Sequence, residues 1–241
     1  MIAEVSLREK CLSTLPSSVA DAIKILRFPL ADEPVGSDYL DCEEGKLVLH
    51  TANGETLSTS MARPAGFRGK QPLITALAPA RGGTIIDATA GLGDDTLKLA
   101  MIGRQVIAIE RNPVIYLLLV SALYNARQAG IPEATRIELQ YGDAAEIIPR
   151  MEPADVIYLD PMFPDKRKRS ALPPKGVRIL RELVGPDTDN NRLLEVARQF
   201  AKKRVVVKRP LHAAPMADDP VALHEGKVVR YEVYLPARAD T

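Results

Sequence analysis

The sequence predicts an α/β protein with a doubly wound, mostly parallel sheet that helices cover on both faces. From about residue 70 onward, apolar runs typical of buried strands alternate with helical segments, which is the pattern of such sheets. These strand runs end, one after another, at acidic residues. The composition is globular, with 241 residues, 46% hydrophobic, 26% charged and a net charge of +1. It excludes wholesale disorder, and any preference for a charged partner must come from local charge.

Two parts of the chain differ in pattern. Residues 1–65 are predicted to form a small N-terminal subdomain, and residues 66–241 the main domain. In the first part we expect a short helix over residues 17–27 and a strand over residues 46–50. The sequence Ala52-Asn53-Gly54 is typical of a turn after that strand.

Several kinds of protein and site are not expected. The longest apolar run, residues 114–124, is too short to span a bilayer, and the N-terminus lacks a signal-peptide pattern. We therefore expect a cytoplasmic protein with no membrane partner. Cys11 and Cys42 fit no metal or redox spacing and are expected to be free thiols. With three histidines in the chain, we expect no metal site.

The main domain is predicted to contain five strands in a row, at residues 84–87, 105–110, 136–140, 155–159 and 204–208. The helices between them are expected at residues 94–102, 113–129 and 193–202, with a short one after residue 144. Pro113 suits the first turn of its helix, and Gly130 with Pro132 ends it. A last run, residues 228–235, alternates in polarity and predicts an antiparallel edge strand.

Acidic residues follow four successive predicted strands. They are Asp87, Glu110, Asp143 and Asp160. In doubly wound sheets, ligands bind beyond the carboxyl ends of the strands, at the point where the winding reverses. Four carboxylates in succession therefore indicate a ligand site rather than surface decoration.

The turn after the first of these strands contains Gly91 and Gly93, which let a ligand approach the backbone closely. The full dinucleotide pattern of three glycines is absent, and Asp94 and Asp95 open the following helix. A helix N-terminus normally attracts phosphate, but two carboxylates there repel it. The turn therefore favours a ligand that is cationic or rich in hydroxyl and amine groups. S-adenosylmethionine, with a sulfonium, an ammonium, a ribose diol and no phosphate, fits that description.

Each acidic strand end has an expected role. Glu110 suits acceptance of hydrogen bonds from the ribose hydroxyls, and Asp143 lies where an adenine amine could be met. Asp87 either contacts the ligand through water or braces the loop. The competing interpretation is that Asp94 and Asp143 are simple helix N-caps.

The segment Asp160-Pro161-Met162-Phe163-Pro164 carries the catalytic prediction. A conjugated ring amine is a poor nucleophile, and acceptors for its hydrogens would hold it in line with a methyl donor. Asp160 offers a carboxylate oxygen, and the turn at Pro161 offers a backbone carbonyl. Phe163 can stack on an unstacked base. The alternative is an ordinary strand-end turn with a core phenylalanine.

Five segments together resemble the ribosomal RNA small subunit methyltransferase J family. They are Asp87-Ala-Thr-Ala-Gly-Leu-Gly-Asp-Asp95, Glu110-Arg-Asn-Pro113, Tyr158-Leu-Asp-Pro-Met-Phe-Pro164, Leu183-Val-Gly-Pro-Asp187 and Arg204-Val-Val-Val-Lys-Arg-Pro210. The resemblance implies a class I, Rossmann-like methyltransferase fold that uses S-adenosylmethionine. It implies methyl transfer to the exocyclic N2 of one guanine in 16S ribosomal RNA, free or in the small subunit. It also implies cofactor contacts at Asp94, Asp95, Glu110, Arg111, Asp143, Ala144 and Asp160.

Basic residues follow the catalytic segment. A charge run is usually a solvated face, but this one adjoins the expected base pocket, where phosphates of a flipped guanine would lie. The candidate RNA contacts are Lys166, Arg167, Lys168, Arg169, Lys175, Lys208 and Arg209. Residues 202–204 lie at the opposite end of their strand and are expected to be solvated surface.

Other functions remain open on the residues alone. An amino-methyltransferase acting on adenine or cytosine in DNA or another RNA shares the same acid–proline–aromatic chemistry. A dinucleotide-dependent oxidoreductase is disfavoured by Asp94, Asp95 and the missing third glycine. An RNA-binding protein without enzymatic activity has no use for four acidic strand ends.

Overall fold

The computed structural model describes residues 5–32, 37–67, 71–78, 82–102, 105–161, 175–184 and 189–237. Its N-terminal part contains β1 (Ser6–Arg8), α1 (Ser17–Leu26), β2 (Leu30–Ala31), β3 (Tyr39–Glu43), β4 (Lys46–His50) and β5 (Thr56–Leu57). These strands form a five-stranded sheet in the order β2-β1-β3-β4-β5. The predicted helix and the predicted strand of this part are both confirmed.

The main sheet has seven strands in the described residues. The elements are α2 (Pro72–Leu77), β6 (Thr84–Asp87), α3 (Asp94–Met101), β7 (Gln105–Glu110), α4 (Pro113–Gln128), β8 (Ile137–Tyr141), α5 (Ala144–Ile147), β9 (Ala154–Leu159), α6 (Lys175–Val184), α7 (Asn190–Phe200), β10 (Ala201–Pro210), β11 (Ala222–Glu225) and β12 (Val229–Tyr234). The strand order is β11-β12-β10-β9-β6-β7-β8. The run from β10 to β8 is parallel, and β12 and β11 are antiparallel. The winding reverses between β6 and β9, as in the predicted fold class.

The structure corrects the prediction for the end of the chain. The run predicted as an antiparallel edge strand is β12, which is antiparallel but lies inside the sheet between β10 and β11. The edge strand on this side of the sheet is the four-residue β11, whose sequence Ala-Leu-His-Glu does not alternate in polarity. Helices α2 and α6 were also not predicted.

Alternate residues of the central strands face two separate apolar layers. Ile85, Val156 and Val206 belong to the layer that includes α3 and α4, whereas the residues between them face the layer that includes α7. The first layer is continuous with the core of the N-terminal sheet, because α1 and β4 pack on α4. The backbone N–H of Leu47 also donates to Ser121 Oγ at 3.1 Å. The boundary at residue 65 stays a prediction, since the two parts share this core.

The start of β10 confirms the expected solvated surface at residues 202 and 203, which are exposed, but not at residue 204. Arg204 is only partly exposed and donates to the carbonyl oxygen of Ala76 in α2 at 2.8 Å. Lys203 pairs with Asp155 at 2.8 Å. These contacts tie the strand to its neighbours. Cys11 and Cys42 are free, as predicted. No described helix is both long and apolar enough to cross a membrane.

Candidate active site at the carboxyl edge of the sheet

The glycine-rich turn between β6 and α3 is held tightly on one side and open on the other. Gly93 has φ of 85° and precedes α3, and a Cβ there would lie 2.7 Å from the Leu119 side chain and 2.9 Å from Met61. Gly91 has φ of 53°, and the nearest atom to a Cβ there would be a backbone oxygen 3.9 Å away. Only glycine fits at residue 93, whereas the backbone at residue 91 borders open space.

Glu110 closes this turn from the next strand. Its Oε2 accepts a hydrogen bond from the Gly91 N–H at 2.9 Å, and its Oε1 accepts from the Asn112 N–H at 2.7 Å. Each carboxylate oxygen has a second lone pair with which it can accept from a ligand hydroxyl. Burial raises the pKa of Glu110 to about 7, although the two backbone N–H groups oppose this. The predicted ribose contact therefore stays a prediction that this position supports.

Asp87 braces the turn from below. Its Oδ2 accepts from the Thr96 hydroxyl at 2.6 Å, and its Oδ1 accepts from the Thr89 N–H at 3.3 Å. Burial raises the pKa of Asp87 to about 7, and the charge of Asp95 adds to the effect. Of the two roles expected for Asp87, these contacts favour bracing of the loop over contact with a ligand.

Asp94 and Asp95 have different surroundings. Asp94 is exposed and is the first residue of α3, whose N-cap is Gly93, so the capping interpretation of Asp94 is wrong. Asp95 is buried and accepts from Lys98 at 2.6 Å and from the Tyr158 hydroxyl at 2.6 Å. The predicted repulsion of phosphate therefore depends on Asp94, and the geometry favours a bracing role for Asp95 over the predicted cofactor contact.

Lys208 connects Asp95 with Asp160. Its Nζ donates to Asp95 Oδ2 at 2.7 Å and to Asp160 Oδ2 at 2.7 Å. Burial opposes ionisation of Asp95, but Lys208 and Lys98 lower its pKa to about 2. Lys208 was predicted to contact RNA phosphates, but its ammonium group is engaged between two carboxylates inside the site. This prediction is therefore disfavoured by the geometry.

Asp160 lies at the end of β9, next to the reversal point of the sheet. Its N–H donates to the Thr89 hydroxyl at 2.6 Å, which fixes the strand end against the glycine-rich turn. The side chain is 38% exposed, so part of the carboxylate is open to a ligand. Burial raises the pKa of Asp160 above its usual value, while Lys208 opposes and Asp95 reinforces this rise. Pro161, the next residue, is buried.

The remaining predicted cofactor contacts lie at two helix starts. Asp143 Oδ1 accepts from the Ala145 N–H at 2.7 Å and caps α5, which confirms the capping interpretation. That bond uses one of its two oxygens, so the adenine contact stays a prediction. Ala144 is buried as the first residue of α5. Arg111 donates to Asp189 at 3.1 Å, just before α7.

Most of the predicted RNA-binding residues fall outside the described part of the chain. Phe163, Lys166, Arg167, Lys168 and Arg169 all lie in residues 162–174, and only the backbone of Lys175 is described. Their roles stay predictions. Arg209 is buried on the opposite face of β10 from Lys208, and it donates to the carbonyl oxygen of Ala214. Burial of its guanidinium weighs against a phosphate contact.

Three residues that shape this site had no predicted role. Tyr158 and Thr89 hold Asp95 and Asp160, and Asn112 caps α4 by accepting from the N–H groups of residues 114 and 115. The cap could have been found, because asparagine directly before Pro113 is a helix-start signal. The other two act across strands, and no local pattern marks them.

The edge as a whole suits a ligand without phosphate. Carboxylates of Asp160, Glu110 and Asp143 lie at the carboxyl ends of the parallel strands β9, β7 and β8, and the open backbone at Gly91 follows β6, which lies between β9 and β7. Carboxylate oxygens accept from hydroxyl and amine groups and attract a cation. S-adenosylmethionine carries all three kinds of group, so the donor set of this edge fits it.

Proteins of similar sequence show which family has this site. Residues 43–236 match the SAM_MT family model, which describes SAM-dependent methyltransferases. A ribosomal RNA small subunit methyltransferase J from Mannheimia succiniciproducens is 38% identical over 240 residues, covering 94% of this chain and 91% of that protein. A relative of the same name from Hydrogenovibrio crunogenus is 44% identical over 218 residues, covering 88% of this chain and 73% of the relative.

A solved structure agrees with the sequence relatives. The crystal structure of a SAM-dependent methyltransferase from Neisseria gonorrhoeae has a TM-score of 0.75 and 30% identity, covering 98% of this chain and 97% of that one. It confirms the predicted fold class over nearly the whole chain. The chain is thus a SAM-dependent methyltransferase, and it belongs to the ribosomal RNA small subunit methyltransferase J family.

Proposed function

We propose that this chain transfers a methyl group from S-adenosylmethionine to the exocyclic N2 of a guanine in 16S ribosomal RNA, in the cytoplasm. The names of its relatives support ribosomal RNA of the small subunit as the substrate. The observation that carries the proposal is the partly exposed carboxylate of Asp160, which lies between the glycine-rich turn and Lys208. It is an acceptor for an amine at the place where the cofactor and the base would meet.

The cofactor would be held mainly from two strand ends. Glu110 would accept hydrogen bonds from the ribose hydroxyls, and the exposed Asp94 would favour a cationic ligand over a phosphate. Asp143 would meet the adenine amine with the oxygen that does not cap α5. Gly91 would leave room for the ligand beside the backbone.

When bound, S-adenosylmethionine supplies a methyl carbon on a positively charged sulfur, and this bond breaks with its electron pair on sulfur as the bond to guanine N2 forms. Asp160 would accept a hydrogen bond from the amine and hold its nitrogen in line with the methyl group. As the new bond forms, nitrogen becomes acidic and Asp160 takes its proton, which then passes to solvent. The carboxylate therefore has to be ionised when the base arrives.

The base pocket and the RNA path would follow directly after β9. The carbonyl of Pro161 would accept the second amine hydrogen, and Phe163 would stack on the guanine. The basic residues 166–169 and Lys175 would contact the flanking phosphates. Phosphate contacts fix position, and the pocket reads the base.

Methylation of naked 16S RNA and of 30S subunits with labelled S-adenosylmethionine tests the proposal, with the modified nucleotide mapped by nuclease digestion and mass spectrometry. We expect one guanine labelled on N2. Asp160→Ala is the matched negative control. Label on an adenine or cytosine amino group would replace the guanine assignment by the other amino-methyltransferase function. Absence of label on both naked RNA and 30S subunits would refute ribosomal RNA as the substrate.

A further inference from the structure

Lys208 occupies an unusual position for a lysine, at an interior register position of the main sheet. It lies opposite Tyr231 of β12 and one residue beyond the pair formed by Val207 and Leu159. This register brings its ammonium group to 2.7 Å from Asp160 and 2.7 Å from Asp95. Its side chain is mostly buried, so both contacts are made with little competition from water.

We propose that Lys208 is a positioning residue that keeps the Asp160 carboxylate ionised and oriented to receive the guanine amine proton. The inference rests on the proposed function, because it assigns Asp160 to that proton. It replaces the predicted contact between Lys208 and RNA phosphates with a role inside the active site.

The need for a cation follows from the groups that surround Asp160. The carboxylates of Asp87 and Asp95 face it from β6 and α3, and both raise the energy of a further negative charge. Two buried phenols, Tyr158 on β9 and Tyr231 on β12, provide no positive charge. Lys208 touches Asp160 directly, whereas the other ammonium group nearby, on Lys98, contacts Asp95 at its other oxygen.

Lys208 itself cannot be the proton acceptor. Burial favours its neutral form, but the charges of Asp160 and Asp95 prevail and hold the pKa of Lys208 above its ordinary value. The ammonium therefore stays charged throughout the working range of the enzyme, and the proton must go to Asp160. Its contact with Asp95 fixes the ammonium group in place, and its contact with Asp160 Oδ2 then holds that carboxylate toward the cleft.

The test is the pH dependence of turnover in Lys208→Met, measured on 30S subunits with saturating S-adenosylmethionine. Loss of the cation should protonate Asp160 at higher pH, so kcat should fall about 10-fold or more relative to wild type near pH 6 and far less near pH 9. Carboxyl ¹³C NMR of the cofactor-free protein, with Asp160→Asn to identify the resonance, should show Asp160 titrating at higher pH in the variant.

Two other lysines provide matched controls. Lys98→Met removes a cation that contacts Asp95 directly and acts on Asp160 only from a greater distance, so the acid limb of the pH profile should move less than in Lys208→Met. Lys203→Met removes a surface pair with Asp155 at the far end of β10 and should not move it. If Lys208→Met does not fold, Lys208→Arg, which keeps the charge, should retain the wild-type acid limb.

A loss of turnover in Lys208→Met that is equal at all pH values, with unchanged titration of Asp160, would overturn the inference. So would a displaced acid limb in Lys208→Arg. Failure of the proposed function is distinguishable, since wild-type protein would then leave guanine N2 unlabelled, or Asp160→Ala would retain turnover.

Discussion

Two clusters of charged side chains lie on opposite faces of the same pair of strands, β10 and β12. On one face, Lys208 connects Asp95 with Asp160, and Asp160 is 38% exposed. On the other face, Arg230 pairs with Glu232 at 2.6 Å, and their side chains are 8% and 0% exposed. The two faces of this strand pair thus carry an open cluster that can react and a closed one that cannot.

The closed cluster fastens the loop that follows β10. Arg230 donates to the carbonyl oxygens of Leu211 at 2.5 Å and Ala213 at 2.7 Å, and Glu232 accepts from the Met216 N–H at 3.0 Å. This loop lies at the same edge of the sheet as Asp160. A buried charge can thus be functional where one of its partners is left open to the cleft, and it is structural here where backbone groups of the loop complete its hydrogen bonds.

Glu232→Ala should have the largest effect on stability. It leaves Arg230 buried without its carboxylate partner, and such a loss costs about 3–5 kcal/mol of unfolding free energy. Urea unfolding measures it, and Glu225→Ala on the exposed side of β11 is the control. A loss below about 1 kcal/mol would mean that the closed cluster is not a structural lock.

Asp160→Ala in the open cluster should have the opposite effect to Glu232→Ala. It should abolish most of the catalysis while the free energy of unfolding changes little. Lys208 keeps Asp95 as its partner, so no charge is left buried alone. Turnover should fall about 100-fold or more, as is typical when a proton acceptor is removed. Single-turnover kinetics on 30S subunits measure this, with calorimetry for cofactor affinity, which should fall less. Near-normal turnover would remove Asp160 from the mechanism.

The sequence predicted the open cluster only in part, for a physical reason. Asp160 and the glycine-rich turn follow local signals, namely a buried apolar run, a terminal acid and glycines before a helix. The contact between Lys208 and Asp160 joins residues 48 positions apart and depends on the register of β10 against β9. A lysine within an apolar strand indicates a buried charge that needs a carboxylate partner, but only the register of β10 against β9 identifies Asp160 as that partner.

The closed cluster and the short elements were less predictable still. Arg230 and Glu232 alternate with apolar residues, so the pattern resembled an edge strand with one solvated face, whereas both side chains are buried. Their burial depends on the loop after β10 and on β11, and these carry no periodicity. Local sequence thus predicted the parallel strands and most of the acidic ends, but not which charges would be enclosed.

Glu110 is a buried glutamate like Glu232, but its carboxylate oxygens accept from the backbone N–H groups of Gly91 and Asn112, whereas Glu232 pairs with the Arg230 side chain. Glu110→Gln should weaken S-adenosylmethionine binding by about 1.5–3 kcal/mol through loss of a charge-assisted bond to the ribose. Calorimetry measures this, and circular dichroism confirms folding. Wild-type affinity in a folded variant would contradict the ribose assignment.

The raised pKa of Glu110, about 7, adds a pH dependence. Hydroxyl donors bind better to the ionised carboxylate, so wild-type affinity should be highest above pH 7 and should decline as the pH falls through that value. The glutamine variant should lack this component of the decline. Equal pH dependence in both proteins would assign the titration to another group, with Asp87 the first candidate because its pKa is also raised to about 7.

The smallest effect is expected outside both clusters, in the basic run Lys166, Arg167, Lys168 and Arg169. If these residues contact phosphates, each contact on a single strand contributes about 0.7 to the slope of log affinity against log salt concentration. Replacing all four by glutamine should flatten that slope and weaken RNA binding, while S-adenosylmethionine binding stays intact. The methylated base should not change, because phosphate contacts position the RNA and do not select the base.

Lys208→Met is the control for this prediction. A lysine engaged by Asp95 and Asp160 releases no counterion from RNA, so its replacement should leave the slope unchanged. The opposite result, a slope flattened by Lys208→Met but not by the fourfold variant, would contradict both assignments. It would mean that Lys208 contacts RNA phosphates and that the basic run does not, which places the RNA over β10.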